Sequence, residues 1–224
     1  MLKKLQKNLG NKYKFIIPQS ILLILLFAII LNLLRIFIFD KFSFIYLLWN
    51  IFLAIIPFII SLALLWFANK NRLNKILFFI FGIVWLLFIP NAPYIITDLI
   101  HIGEVRSAPV LFDSFLLFSS AWVGLLLGMF SIDHMRIIFE RNYSKRTTYI
   151  TLYLVMFLIS FGMYLGRFLR FNSWDIFEKP HSFIVGIVDI FSNKENYIEA
   201  FFYTGLFFFF LIISYNSWRI TQTK

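Results

Sequence analysis

The stretch WLLFIPNAPYIITDLIHIGEV, residues 85–105, begins as a membrane-spanning helix and then changes character. Proline fixes its own φ angle and disfavours helical backbone in the residue before it, so Pro90 and Pro93 are expected to interrupt the helix between them. Pro93 suits the first turn of a new short helix, with one of the two preceding residues near its cap, and Gly103 suits its end. The sequence therefore predicts a short helix or a re-entrant segment after Pro93.

Four polar side chains on this predicted short helix fall at spacings i, i+3, i+4 and i+7, namely Tyr94, Thr97, Asp98 and His101. These spacings share one face of an α-helix, and a polar face turned toward lipid would be very costly. The face must therefore contact protein, water or a ligand. Three interpretations are open: a packing network, a ligand or catalytic site, and a metal site. A metal site would use Asp98, His101 and Asp113, and it is disfavoured because the chain has no HExxH-like pair.

The composition assigns the chain to the helical membrane proteins. Of its 224 residues, 61% are hydrophobic and 14% are charged, whereas about 25% of the residues in a soluble domain are charged. Several continuous apolar runs approach the roughly 20 residues that a transmembrane helix needs, and such runs disfavour a β-barrel. The absence of cysteine excludes disulfides and a cysteine nucleophile. The expected fold class is an all-α, polytopic transmembrane helical bundle that forms one integral membrane domain over residues 1–224.

Membrane spans are predicted at residues 15–39, 44–68, 73–90, 114–132, 148–166 and 199–218. With the N-terminus inside, the cytoplasmic segments hold 14 of the 21 basic residues and two of the 11 acidic ones, as the positive-inside rule requires. Both termini are then cytoplasmic, and the net charge of +10 reflects membrane topology rather than nucleic-acid binding. The first apolar run is too long for a signal-peptide core and lacks a cleavage site, which predicts a retained first span.

A second polar cluster, GRFLRFNSWD at residues 166–175, is predicted to lie at the outer end of the fifth span. Arg167 and Arg170 fall at i and i+3 on the last helical turn, on the side of the membrane where arginine is disfavoured. Paired guanidinium groups suit a carboxylate or a phosphate held through two hydrogen bonds. Alternatively, they pair with nearby carboxylates or reach lipid phosphates. Both interpretations bring the two arginines close to the first motif.

Small residues repeat at spacing i, i+4 in two predicted spans, as Gly124 and Gly128 in the fourth and as Gly162 and Gly166 in the fifth. This spacing lets helix backbones approach closely, which predicts tight packing between these two spans. In that arrangement, the two arginines rise beside Asp113, which begins the fourth span. The Asp113 carboxylate is also suited to capping the N-terminus of that helix.

Three polar residues in or at the ends of the first two spans, Asn32, Arg35 and Asn50, are predicted to form hydrogen bonds between helices. Pro180, followed by HSFIVGIVDIF, predicts a short interfacial helix or a lid on the outer face. The sequence contains no phosphate-binding glycine loop and no nucleophile elbow.

Together, the two clusters resemble those of the bacterial membrane-protein family of unknown function 1361. The matching motifs are Pro90-Asn91-Ala92-Pro93-Tyr94, Thr97-Asp98 with His101, Phe112-Asp113, Gly166-Arg167-Phe168-Leu169-Arg170 and Asn172-Ser173-Trp174-Asp175. The likeness spans residues 40–215, with Phe171 where the family often carries tryptophan. The resemblance implies an uncharacterised multi-pass protein of the bacterial cytoplasmic membrane, and it brings no known substrate.

Three functions fit these features. In the first, an outer pocket binds or transports a small anionic or polar solute, and Arg167 and Arg170 hold the anion. In the second, a membrane enzyme acts on a lipid-linked or envelope substrate, with Asp98 as general acid or base and His101 as its partner. In the third, the chain is a structural or assembly partner of another envelope protein.

The candidate ligand-binding residues are Asn91, Tyr94, Thr97, Asp98, His101, Asp113, Arg167, Arg170, Asn172, Trp174 and Asp175. No cofactor, no resident metal and no nucleic acid is expected. The expected partners are the lipid bilayer and a small anionic or lipid-linked ligand, together with a partner protein that the sequence does not identify.

Overall fold

The computed structural model describes residues 19–39, 42–103 and 108–222. Within these ranges the chain is helical and contains no strand. The helices are α1 Gln19–Phe39, α2 Tyr46–Asn69, α3 Lys75–Phe88, α4 Asn91–Tyr94, a 3-10 helix Ile95–His101, α5 Val110–Asn142, α6 Lys145–Phe168, α7 Asp175–Glu178, α8 Pro180–Ser192 and α9 Lys194–Gln222. Residues 15–18 of the predicted first span, and the basic residues that precede them, lie outside the described ranges.

The described chain contains six helical stretches that are long and apolar enough to cross a membrane. They confirm the all-α, multi-pass fold. The fourth and sixth stretches, Val110–Asn142 and Lys194–Thr221, extend beyond the predicted spans at both ends. The apolar runs in the sequence did not predict these extensions, because the ends of both helices are polar. A helix needs apolar residues only where it lies in the hydrocarbon core of the membrane. The cytoplasmic location of both termini stays a prediction from the distribution of charge.

The third stretch, Lys75–His101, differs most from the prediction because it does not end at the prolines. Asn74 caps its start by accepting a hydrogen bond from the backbone N–H of Leu77 at 2.7 Å. At Pro90 the chain makes one turn, in which the N–H of Ala92 bonds to the Ile89 carbonyl, and helical structure then resumes. The backbone stays hydrogen-bonded through the proline positions, as a segment at membrane depth requires.

The central helix of the bundle is α5, which packs against α1, α2 and the 3-10 helix. In the most apolar stretch of α5, 72% of the residues are buried, whereas in the most apolar stretch of α9 only 17% are buried. The fifth and sixth spans, α6 and α9, pack mainly on each other. The large apolar side chains that α9 exposes, such as Phe201 and Phe209, are suited to contact with lipid.

The glycines of α5 pack on the segment that follows Pro90. A Cβ atom added to Gly124 would collide with the carbonyl oxygen of Ala92 and would lie 2.9 Å from Cδ1 of Ile95. One added to Gly128 would lie 3.4 Å from the Cβ of Ala92. Because these two glycines of α5 have no side chain, the backbone of α4 can approach α5 closely.

The glycines of α6 pack on the other side of the same segment. A Cβ on Gly162 would lie 2.7 Å from Cγ of Pro90, and one on Gly166 would lie 3.2 Å from the ring of Tyr94. The prediction that the two glycine pairs bring α5 and α6 directly together is therefore wrong. Both pairs contact the segment 90–95, which lies between the two helices.

Buried hydrogen bonds join the helices toward the opposite end of the bundle. The indole N–H of Trp85 on α3 donates to Ser131 Oγ on α5 at 2.7 Å. Arg136 Nε contacts Asp133 Oδ1 at 2.6 Å, and the same oxygen accepts a hydrogen bond from Tyr215 on α9 at 2.9 Å. Every charge in this cluster has a partner, as burial in a membrane protein demands.

We predict that Gly124→Ala destabilises the protein by about 1–3 kcal/mol, because the added methyl group overpacks the contact with Ala92. The matched control is Gly82→Ala, since a Cβ on this α3 glycine meets no atom within 4 Å. Alanine has the higher helix propensity, so the control is expected to leave stability unchanged or raise it by up to about 1 kcal/mol. Thermal unfolding in detergent measures both effects. Equal melting temperatures for the two variants would contradict the close contact.

Candidate functional site

Residues 95–101 form a 3-10 helix, which rearranges the polar stripe predicted for this segment. A 3-10 helix has three residues per turn, so side chains at i and i+3 lie one above the other. Asp98 therefore aligns with His101, whereas Thr97 aligns with Tyr94 and donates its hydroxyl to the Tyr94 carbonyl at 2.7 Å. Tyr94, Asp98 and His101 nevertheless line one cavity and Thr97 does not, so the single face predicted from α-helical geometry holds for three of the four side chains.

The Asp98 carboxylate is 2% exposed and joins three elements of the fold. Its Oδ1 accepts a hydrogen bond from Nη1 of Arg167 on α6 at 3.1 Å. Its Oδ2 accepts one from the side-chain amide of Asn50 on α2 at 2.9 Å. Asn50 thus forms the interhelical bond predicted for it. A buried carboxylate is tolerated only with such partners, and this one ties α2, the 3-10 helix and α6 together.

Arg167 also contacts His101, with 3.0 Å between its Nη2 and His101 Nε2. A guanidinium group has donors only, so Nε2 is the acceptor and the ring proton lies on Nδ1. His101 is therefore neutral in this arrangement. The acid–base role considered for His101 through Nε2 would require Arg167 to move, because the one lone pair of this nitrogen accepts the hydrogen bond from Arg167, whereas each Asp98 oxygen accepts one hydrogen bond and can accept another.

Asp113 belongs to a different ion pair. Both its oxygens contact Arg35 on α1, at 2.7 Å to Nε and 3.3 Å to Nη2, and both residues are almost fully buried. Arg35 is thus an interhelical group, as predicted, whereas the amide of Asn32 donates to the Ala28 carbonyl within its own helix. Asp113 forms no capping hydrogen bond, so the cap predicted for it is wrong.

The second cluster begins where α6 ends. The helix stops at Phe168, and Arg170 lies beyond it with φ of 56°. Arg167 and Arg170 therefore do not share a helical turn, and the predicted i, i+3 pairing is wrong. Arg167 is locked in the network around Asp98, while Arg170 is exposed to solvent.

The loop after Arg170 is closed by Asp175. Its Oδ2 accepts hydrogen bonds from the backbone N–H of Asn172 at 2.7 Å and from the Asn172 side chain at 3.2 Å. The backbone hydrogen bond from Asn172 holds the pKa of Asp175 below its usual value. Trp174 meets Trp49 on α2 edge to face, with 6.4 Å between ring centroids. These contacts fix the loop over the end of α2.

Asn91 connects the two clusters. Its side-chain amide donates to Ser173 Oγ at 2.7 Å and to the Phe88 carbonyl at 2.8 Å. The prediction that Asn91 or Ala92 caps the short helix is wrong, since the N-cap position is Pro90 and no side chain caps it. Asn91 instead joins the loop after α6 to the segment that lies between α5 and α6.

A cavity of about 1140 Å³ lies between α2 and α3 on one side and α6 and α8 on the other. Its polar wall includes seven of the predicted site residues: Asn91, Tyr94, Asp98, His101, Arg167, Arg170 and Asn172. Asn50 and Ser173 also line it, and neither is among the residues predicted for the site. Thr97, Asp113, Trp174 and Asp175 are absent from the wall and contribute to the surrounding structure.

The rest of the cavity wall is apolar, and includes Leu86, Leu87, Leu158, Phe161, Phe183 and Ile187. Phe183 and Ile187 belong to α8, the short helix that the sequence predicts after Pro180. Its other face exposes Ile184, Val185 and Val188. The cavity is therefore amphipathic, since its wall contains both charged groups and aliphatic and aromatic groups.

The described residues contain no group of three histidine, aspartate or glutamate side chains close enough to hold a metal ion. Asp113, the third ligand of the metal site considered above, is bound to Arg35. Asp98 and His101 are joined through Arg167, whose positive charge opposes a cation at that position.

Residues 49–214 match the sequence model of a family described as a protein of unknown function (DUF1361). The match covers both polar clusters and confirms the resemblance drawn from their motifs. No curated protein matches the chain. No solved structure matches it either.

We predict that Asp175→Ala lowers stability at pH 7 by about 1 kcal/mol, because the loop loses the carboxylate that accepts both hydrogen bonds from Asn172. The pKa of Asp175 is lower in the folded than in the unfolded chain, where it is about 3.9. Its stabilisation is therefore complete above that unfolded value and is lost as the pH falls through the folded one. The difference in melting temperature between wild type and variant should disappear at low pH.

Asp189→Ala is the matched control, since Asp189 is an exposed carboxylate that accepts a side-chain hydrogen bond from Asn196 at 2.8 Å. We expect Asp189→Ala to lower the melting temperature much less than Asp175→Ala does. A difference between wild type and Asp175→Ala that is the same at pH 7 and at low pH would contradict a role for the Asp175 charge.

Proposed function

The chain belongs to the family of proteins of unknown function DUF1361, and we propose that it binds an amphipathic anion in the cavity between α2, α3, α6 and α8. The ligand class is a lipid or lipid-linked molecule with a negatively charged head group. The observation that carries the proposal is that the wall of one cavity contains both charged and apolar side chains. A small polar solute would leave the apolar wall unused, and a hydrocarbon would leave the charged groups without a partner.

The apolar part of the cavity supports a ligand that comes from the membrane. Leu86 and Leu87 on α3 face Leu158 and Phe161 on α6 across it, and α3 and α6 hardly touch each other directly. Leu158 is itself 41% exposed on the surface of α6. A gap between two spans with exposed apolar walls gives an acyl or isoprenoid chain a route from the bilayer into the cavity.

The charged part supports an anionic head group. Arg167 and Arg170 contribute two positive charges to the wall, and Asp98 contributes one negative charge. His101 is neutral while it accepts the hydrogen bond from Arg167. The wall therefore carries a net charge of one positive unit, which attracts an anion most strongly where apolar walls exclude water.

The same contacts favour binding over catalysis. A general base needs a free lone pair that points at the substrate, whereas the lone pair of His101 Nε2 is used by Arg167, and each Asp98 oxygen already accepts a hydrogen bond from Arg167 or Asn50, which weakens its basicity. Transport would need a path through the bundle, and the cavity wall formed by the described residues does not include the polar cluster of Asp133. The proposal is therefore a binding protein, with transport and a purely structural role as alternatives.

The charge distribution of the loops and the family resemblance support a location in the bacterial cytoplasmic membrane, with the cavity in its outer half. There the available amphipathic anions are phospholipids and lipid-linked envelope precursors. We propose that the protein binds one molecule of this class in the outer half of the membrane.

We predict that phosphatidylglycerol raises the melting temperature of the purified protein in a neutral detergent. A ligand that binds only the folded state stabilises it by about 2.7 kcal/mol at a hundredfold excess over its Kd. Diacylglycerol with the same chains and soluble glycerophosphoglycerol, which is the phosphodiester head group, are the comparison probes, and each should give a much smaller shift. They remove the charge and the apolar chains, respectively.

Leu158→Trp is expected to abolish the shift, because the larger side chain fills the apolar part of the cavity. Leu154→Trp is the matched control, since Leu154 lies one turn earlier on α6, is 58% exposed and does not line the cavity. No shift with phosphatidylglycerol would overturn the proposal. A full shift with glycerophosphoglycerol alone would show that the ligand is a small polar solute, and an equal shift with diacylglycerol would show that charge plays no part.

A further inference from the structure

Arg170 has a backbone conformation that its residue type disfavours. Its φ of 56° lies in the left-handed region, where a side chain with a Cβ costs energy and glycine is the usual residue after a helix. The conformation is set by the way α6 ends, since the backbone N–H of Phe171 bonds to the carbonyl of Leu165 at 3.2 Å. Glycine would satisfy this backbone, so the arginine at this position needs an explanation in its side chain.

The two arginines of the cluster have different roles in the structure. Arg167 is half-buried and bound to Asp98 and His101, so its guanidinium group is already neutralised and oriented. Arg170 is exposed, lines the same cavity, and forms no hydrogen bond or ion pair with any residue in the described parts of the chain. Of the charges on the polar wall, Asp98 and Arg167 compensate each other, which leaves the charge of Arg170.

We propose that Arg170 is the anion-binding group of the cavity and that it accepts a head group with a single negative charge, a phosphodiester or a carboxylate. The inference rests on the proposed function and adds to it the contact residue and the charge of the ligand. Arg167 is then a positioning residue, which holds Asp98 and His101 in the wall.

The chemistry of the guanidinium group explains why position 170 carries arginine and not glycine. A guanidinium group presents two parallel N–H donors to two oxygens of one carboxylate or phosphate, which glycine and lysine cannot do. A single uncompensated arginine neutralises one negative charge. A second charge on the head group would remain unpaired near an apolar wall, where an isolated charge is costly.

The decisive variant is Arg170→Gly, because it removes the guanidinium group and relieves the backbone at the same time. We expect its melting temperature without ligand to be unchanged or raised by on the order of 2 °C. We expect its affinity for phosphatidylglycerol to fall about tenfold or more, as for loss of a hydrogen-bonded charge. Arg170→Lys keeps the charge but not the paired donors, so its affinity for phosphatidylglycerol should lie between those of wild type and Arg170→Gly.

Asn71→Gly is the matched control for the backbone effect. Asn71 has φ of 54°, is exposed, and lies in the loop between α2 and α3, outside the cavity wall. It should show a change in melting temperature no larger than that of Arg170→Gly, because asparagine tolerates the left-handed region better than arginine, while binding phosphatidylglycerol as wild type does. A loss of binding in Arg170→Gly without loss of stability separates a ligand contact from a structural role.

The charge of the head group is tested with phosphatidic acid at pH 8, where a phosphomonoester carries close to two negative charges. Phosphatidylglycerol, with one charge, should bind more tightly than phosphatidic acid with the same chains. If wild type binds neither lipid, the proposed function itself fails. If wild type binds phosphatidylglycerol and Arg170→Gly binds it equally well, only the role of Arg170 is overturned, and tighter binding of phosphatidic acid would overturn the single-charge specificity.

Discussion

The rest of the structure depends on the close packing of the segment 90–95 between the glycines of α5 and α6. At Gly124, Gly128, Gly162 and Gly166 the helix backbones leave room for the prolines, Ala92 and Tyr94 to approach. Lipid supplies no hydrophobic force between helices, so such close contacts provide much of the attraction. The same packing sets the position of the 3-10 helix, and through it the positions of Asp98 and His101.

Pairing of buried charges is the second constraint. Asp113 on α5 pairs with Arg35 on α1, and Asp98 pairs with Arg167 on α6. Each pair connects elements far apart in sequence, and loss of one partner would leave a charge without compensation in a poorly solvated place. These requirements account for two of the arginines at this end of the bundle. Arg170 is not used by the fold in this way, and so it is the residue on which the ligand hypothesis depends.

Much of the fold was predictable because hydrophobic length is a local property. Runs of apolar residues identified six spans, although their polar ends were missed in α5 and α9. Seven of the eleven candidate site residues line one cavity, and their role in binding a ligand stays a prediction. The errors concern geometry. An α-helical spacing rule was applied to a segment that forms a 3-10 helix, and two arginines were placed on one turn although the helix ends between them.

The membrane class, the helical secondary structure and the two polar clusters follow from composition and apolar periodicity, because these act over a few turns of chain. The partners of the charged side chains follow from the packing of the helices. Asp113 could have joined either cluster, but the packing of α1 on α5 brings Arg35 to it. Likewise, the glycine motifs showed that something approaches closely, and the fold decided that it is the proline segment. Pairing between distant residues depends on how the helices are arranged, and no local pattern encodes that arrangement.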